Sequence, residues 1–146
     1  MRKLILAISV LALAGSAAFA DPIADRQALM KANGKAASVL APIVKGEKPF
    51  DQAAVMAALT QLSENAQKID VAALFPAGSD TGEKTTASPK IWEEPTEFQA
   101  KVDKFRADTA AAVAAAPKDV DALKAQFGAI GANCGGCHET FRIKKG

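Results

Sequence analysis

The chain has 146 residues, one histidine, two cysteines, one tryptophan and no tyrosine. A single histidine excludes multi-histidine metal sites and a bis-histidine haem within one chain, and two cysteines exclude a disulfide-rich scaffold and a four-cysteine zinc site. The formal net charge of +2 is small and gives no nucleic-acid signature.

The first twenty residues read as a secretory leader. Arg2 and Lys3 make a short positive start, Leu4 to Leu13 is an apolar run too short to span a bilayer, and Ala18-Phe19-Ala20 ends in the small residues a signal peptidase reads. Residues 1–20 are therefore expected to be removed after Ala20, leaving one domain, 21–146. Fifteen of those twenty residues are apolar, so the hydrophobic fraction of the remainder falls to roughly 45%, an ordinary globular value. Two of the 18 basic residues leave with the leader, and the 16 that remain balance the 16 acidic residues. This predicts an exported protein, periplasmic in a bacterium, with no nucleic-acid partner and no membrane insertion.

Four segments with apolar spacing of three and four follow. The first, Pro22 to Lys45, carries the stripe Arg26, Met30, Asn33, Ala37, Leu40, Val44, with Leu29 and Ile43 beside it. Pro42 predicts a kink or an early end. Gly46 and Pro49 break the chain, and Asp51 is placed to cap the second segment. That segment reads Val55, Leu59, Leu62, Ala66, Ile69. A connection from Asp70 to Glu94 is rich in Gly, Pro, Ser and Thr, yet carries Leu74, Phe75, Ile91 and Trp92, which should pack onto the helices. The third segment opens on Pro95, reads Phe98, Val102, Phe105, Thr109, Ala112, Ala116, and stops at Pro117. The fourth, capped by Asp119, reads Leu123, Phe127, Ile130, Cys134, Cys137, Phe141. The expected fold is all-α, an antiparallel four-helix bundle. The exposed remainder of the first two helices leaves room for a homodimer interface without demanding one.

Cys134-Gly135-Gly136-Cys137-His138 is the covalent haem attachment motif. Two thiols three residues apart lie on one helical face and can add across the two vinyl groups of one haem, while the adjacent imidazole reaches the iron. A thioredoxin-like pair would sit beside a strand at a helix N-terminus; this one lies late in a helix. A zinc site lacks a fourth ligand, and a disulfide across this spacing is strained on a helix. On this reading the cofactor is one haem c, held by Cys134 and Cys137 in the bundle core, with His138 as the proximal iron ligand.

No other histidine exists, so a second protein ligand has to come from upstream. Without Met1, the methionines are Met30 and Met56. Antiparallel first and fourth helices put Met30 and His138 at one level, roughly 10 Å and 9 Å from the joined ends at 1.5 Å per residue. Met56 falls at the opposite end, beside its stripe, and reads as packing. Met30 is the expected distal iron ligand. Arg26, one turn earlier on the same stripe, wants a partner; a haem propionate is one candidate, and an exposed helix end is the alternative. Arg142, at i+4 from His138, either covers the proximal side or solvates the last turn.

These residues resemble a family. Arg26-Gln27-Ala28-Leu29-Met30-Lys31, Lys45-Gly46-Glu47-Lys48-Pro49-Phe50-Asp51, Pro89-Lys90-Ile91-Trp92 and Cys134 to Arg142 are similar to class II c-type cytochromes, in which the haem motif lies near the C-terminus. Gly135-Gly136 departs from the Lys-Ala pair common within the motif of cytochromes c-prime. The resemblance implies one of two behaviours. Low-spin members of the c-556 type take a first-helix methionine as sixth ligand and carry electrons, exchanging them with other periplasmic redox proteins. Cytochromes c-prime keep a five-coordinate, high-spin haem, are usually homodimers, and bind nitric oxide or carbon monoxide. The stretch Leu29-Met30-Lys31 with Asn33-Gly34 resembles the low-spin type, so the expectation is an electron carrier and not an enzyme.

Overall fold

A computed structural model describes residues 21–82 and 84–144. The leader, 1–20, lies outside the described residues. Four long helices make the body: α1 (Pro22–Val44), α2 (Gln52–Gln67), α5 (Pro95–Ala115) and α6 (Val120–Phe141), with the short α3 (Val71–Leu74) and α4 (Lys90–Glu93) inside the α2–α5 connection. The helices follow one another around an antiparallel four-helix bundle. α1 packs along α2, α2 along α5 and α5 along α6, whereas α1 touches α6 only lightly.

The helix ends are set by the expected residues. Asp51 accepts from the backbone N–H of Ala53 (2.9 Å) and Ala54 (3.1 Å), and Asp119 accepts from Ala122 N–H (2.8 Å). Each satisfies donors that the first helical turn leaves unpaired. Pro95 occupies the first turn of α5, and Ala116, at φ 43°, closes it just before Pro117. Pro42 does not kink α1. It lies in the last turn, where its missing N–H costs least, and the helix runs to Val44 before Gly46 turns the chain at φ 76°.

The α2 and α5 stripes are buried as expected over Val55, Leu59, Leu62 and Ala66 on one helix and Phe98, Val102, Phe105, Thr109 and Ala112 on the other; Ile69 is buried just beyond α2, whereas Ala116, just beyond α5, is half-buried. Leu74 and Ile91 of the connection are buried as well, with Phe75 and Trp92 half-buried against them. Thr109 is tolerated at 0% exposure because its hydroxyl donates back to Phe105 O at 2.8 Å.

The α1 and α6 stripes differ from expectation by one residue. α1 buries Arg26, Ala36, Leu40 and Ile43, with Leu29 half-buried against the core, while Met30 is 40% exposed. α6 buries Leu123, Ile130, Asn133 and Phe141, leaving Cys137 half-buried and Cys134 exposed. The motif therefore lies along the flank of the protein-packed core and not within it. The physical reason is the light α1–α6 seam, where few side chains from the opposite helix cover that flank.

α2 has no basic residue in its last turn. Arg106 of α5 supplies the missing donors, giving Nε to Ala66 O (3.4 Å) and Nη2 to Ile69 O (2.5 Å). Arg106→Ala should lower the unfolding free energy by about 1–3 kcal/mol, the range for charge-assisted hydrogen bonds to backbone carbonyls. The urea midpoint would show it, with the slope unchanged.

Candidate haem site

α6 carries Phe127, Gly131, Cys134 and His138 at steps of four, three and four, so they share one helical face. Both thiols are free. Partial burial pushes each thiol up from its ordinary range, with Lys101 partly offsetting this at Cys137. Partial desolvation of the ring, followed by the Arg142 guanidinium, holds the His138 imidazole below its ordinary range. It is therefore neutral near pH 7 and keeps a lone pair for a metal. An open depression of about 580 Å³, lined by Gly135, His138, Glu139, Arg142 and Lys144, leaves the imidazole reachable. Arg142 shares that depression, on the side of the helix end.

The flank is also unusually bare. A Cβ added at Gly128, Gly131 or Gly135 would meet nothing within 4 Å. Three glycines inside a helix cost about 1 kcal/mol each relative to alanine, and no neighbouring side chain in the chain itself uses the space. Two free thiols, a neutral imidazole and a glycine-lined strip fit a flat apolar ring laid along α6. Among the described residues no three His, Cys, Asp or Glu side chains converge on a metal position.

Asn133 was not singled out by the spacing, which favoured Cys134 for the core. It is buried at 9% exposure, and its amide donates to Asp108 Oδ2 (2.5 Å) and Ala129 O (3.0 Å). The bond to Asp108 ties α6 to α5 beside Cys134, and the one to Ala129 O stays within α6. Hydrogen bonds from Lys104 and then from Asn133 hold the Asp108 carboxyl below its ordinary range. A carboxyl depressed in the folded state adds stability above its unfolded pKa, near 3.8. That contribution is lost as pH falls through the folded value. Asp108→Asn should thus be less stable than the parent at pH 7, by a small margin because Lys104 is exposed, and the two should converge as pH falls through the folded-state value, which lies below 3.8. Urea titrations at pH 7 and at acid pH check this.

Met30 and Met56 separate as expected in one respect: Met56 is half-buried against the core, whereas Met30 is exposed. Arg26 differs. It is 7% exposed, yet its partners belong to the α3–α4 loop. Nη1 donates to Leu74 O (3.0 Å) and Ser79 Oγ (2.8 Å), and Nη2 to Ser79 O (2.7 Å) and Thr85 Oγ1 (3.2 Å). The charge on the stripe is satisfied by these four hydrogen bonds, and Arg26 is not an exposed residue at a helix end.

The same loop reaches the end of α6. Ser88 N–H donates to Phe141 O (3.0 Å) and Ile143 N–H to Thr86 O (2.8 Å), an antiparallel bridge between Ala87 and Arg142. The beginning of α1 and the end of α6 thus meet on one loop. Met30 lies one turn inward from Arg26, and His138 one turn inward from Arg142.

No described helix is long and apolar enough to cross a membrane. Residues 21–142 match the sequence profile of the family described as Cytochrome C'. A cytochrome c-556 from Agrobacterium fabrum is 42% identical over 132 residues, covering 90% of this chain and 88% of that protein. The structure of cytochrome c' from Rhodopseudomonas palustris superposes with a TM-score of 0.79 at 42% identity, over 86% of this chain and 98% of the other. The structure of oxidized R. palustris cytochrome c556 gives 0.75 at 45% identity, over the same shares. The chain belongs to the cytochrome c' family: it is a mono-haem c-type cytochrome, not an enzyme, and its cofactor is covalently attached haem c.

Proposed function

We propose that the protein is a periplasmic electron carrier with low-spin, His/Met-ligated haem, exported by the 1–20 leader. Cys134 and Cys137 would hold the haem through two thioethers, His138 would be its proximal ligand and Met30 its distal one. When bound, haem c supplies a one-electron ferric/ferrous couple. The residues determine the rest. A neutral His138 offers a ready donor nitrogen, the glycine strip on α6 admits a flat ring, and the helices around it limit rearrangement on electron transfer. Met30 would fill the distal position and leave no open coordination site for a substrate. Partners would be other redox proteins meeting a small surface near the motif, below about 1,200 Å² in total.

The observation that carries this reading is the exposed Met30. It stands one turn inside the loop-held end of α1, as His138 stands one turn inside that of α6, while Met56 packs against the core. Similarity to relatives of both kinds makes the five-coordinate alternative the one to test. The optical spectrum of the ferrous protein decides between them: a sharp low-spin α band is expected, and a broad high-spin spectrum would sink the assignment. Intact mass of the exported protein should equal the chain from Asp21 plus one haem.

A further inference from the structure

Three consecutive loop residues tie the two ligand-bearing helices together. Lys84 O accepts from the Gln27 side chain, Thr85 Oγ1 from Arg26, and Thr86 O from Ile143 N–H. Thr85 Oγ1 also accepts from Ala87 N–H (3.1 Å), the residue paired with Arg142 at the end of α6. A second path runs through aromatic rings. The Arg26 guanidinium lies 4.9 Å from the Phe75 ring centroid, Phe75 stands 4.8 Å edge-on to Phe98, and Phe98 stands 5.1 Å edge-on to Phe141. Phe141 is three residues beyond His138. Arg26 is in both paths, which end at Ile143 and Phe141, five and three residues past His138.

Elsewhere α1 and α6 pack only lightly on each other. The loop and the aromatic row therefore carry much of the restraint on their separation at this end. A buried guanidinium with four hydrogen bonds is a stiff anchor, because freeing it leaves several buried polar groups unpaired.

We infer that Arg26 is a positioning residue: by holding Ser79 and Thr85 between α1 and α6, it keeps the Met30 turn at bonding range of the iron carried by His138. The inference rests on Met30/His138 ligation. Opening of the clamp would let α1 move outward and release the thioether, so the strength of the clamp sets how often the distal position is vacant. Carbon monoxide reports that vacancy directly, since it binds the ferrous protein only when Met30 is off.

The test compares the full exported holoprotein with Arg26→Gln, Arg26→Lys and the loop-side double variant Ser79→Ala/Thr85→Val. The loop-side variant leaves the Arg26 cation in place and removes its two hydroxyl partners, together with the Thr85 acceptor of Ala87 N–H. Three readouts are taken: the carbon monoxide association rate, the long-wavelength thioether-to-ferric absorption, and amide exchange at Ser88 and Ile143. Arg26→Gln and the loop-side variant should both bind carbon monoxide about ten to a hundred times faster, in line with losing charge-assisted buried hydrogen bonds. Both should weaken the thioether absorption and speed exchange at the two amides, with far-UV helicity retained. Arg26→Lys should recover part of each effect, since an ammonium keeps the charge without the planar fork.

A loop-side variant whose carbon monoxide rate stays within about twofold of the parent, with faster amide exchange, would overturn the clamp while leaving Met30 ligation intact. So would an effect confined to Arg26→Gln, which would mean that the cation acts on something other than the loop. A high-spin parent protein would overturn ligation and clamp together, and is recognisable before any variant is made.

Discussion

Cys134→Ser/Cys137→Ser is expected to be exported and to retain no covalently held haem. Serine hydroxyls do not add to vinyl groups under conditions in which thiols do, and no third cysteine exists to replace them. The effect should be complete: no haem stain on a denaturing gel, and an intact mass equal to the polypeptide alone. Each single variant should keep one thioether and stain weakly. The structural consequence should be visible as well. The chain leaves Met30 40% exposed, and the glycine strip of α6 has no protein neighbours. A group that fills this seam stabilises the folded state by binding it and not the unfolded chain. The double variant should therefore melt well below the parent, and the deficit should exceed that of Arg106→Ala.

Met30→Ala carries the second large effect. The distal thioether is the only one that the sequence can offer at this height, so its removal should convert the ferric and ferrous spectra from low-spin to high-spin. It should also lower the reduction potential, because a thioether ligand favours the ferrous state. Carbon monoxide association should rise to the rate of an open site. Met56→Ala is the matched control. Its side chain is half-buried against the core, so it should cost about 1–3 kcal/mol of stability, less than a fully buried truncation, with both spectra unchanged. Equal spectral effects from the two variants, or none from Met30→Ala, would contradict the ligand assignment.

The helices that bear no proposed ligand, α2 and α5, were legible residue by residue. Val55, Leu59, Leu62, Ala66 and Ile69 leave no choice of phase, because their neighbours include Gln61, Glu64 and Gln67. α1 was not legible in the same way. Leu29 and Met30, Ala36 and Ala37, Ile43 and Val44 are adjacent apolar pairs, so two stripes one residue apart satisfy the same spacing. The stripe through Leu29, Ala36 and Ile43 packs against protein. Of the other, Met30 is exposed, and Ala37 and Val44 are half-buried. On α6 the same ambiguity put Cys134 in the core where Asn133 lies. A helix that must serve a protein core on one side and a prosthetic group on the other needs two apolar faces, and periodicity counts them as one.

The motif residues Cys134, Cys137 and His138 needed no structure to be picked out, since few residue types can do their chemistry and the chain holds so few of them. Arg26 was visible as a charge on a core stripe, but its partners were not. Ser79 and Thr85 lie more than fifty residues away, in a connection with no period to read. Arg106 was hidden for a related reason: its work is done at the end of another helix.

The bridge between Ala87 and Arg142 also fixes where the first turn of α1 and the last turn of α6 lie. Thr85 touches Arg26 near the first described residue, and Thr86 touches Ile143 near the last. Beginning and end are thus neighbours, while the Gly46–Pro49 turn lies at the far end of the molecule. A short linker could join them, and the chain could be opened at that turn instead, with every helix kept in place. In such a permuted chain the first and fourth helices would become consecutive, and the seam between them would be closed by the backbone itself.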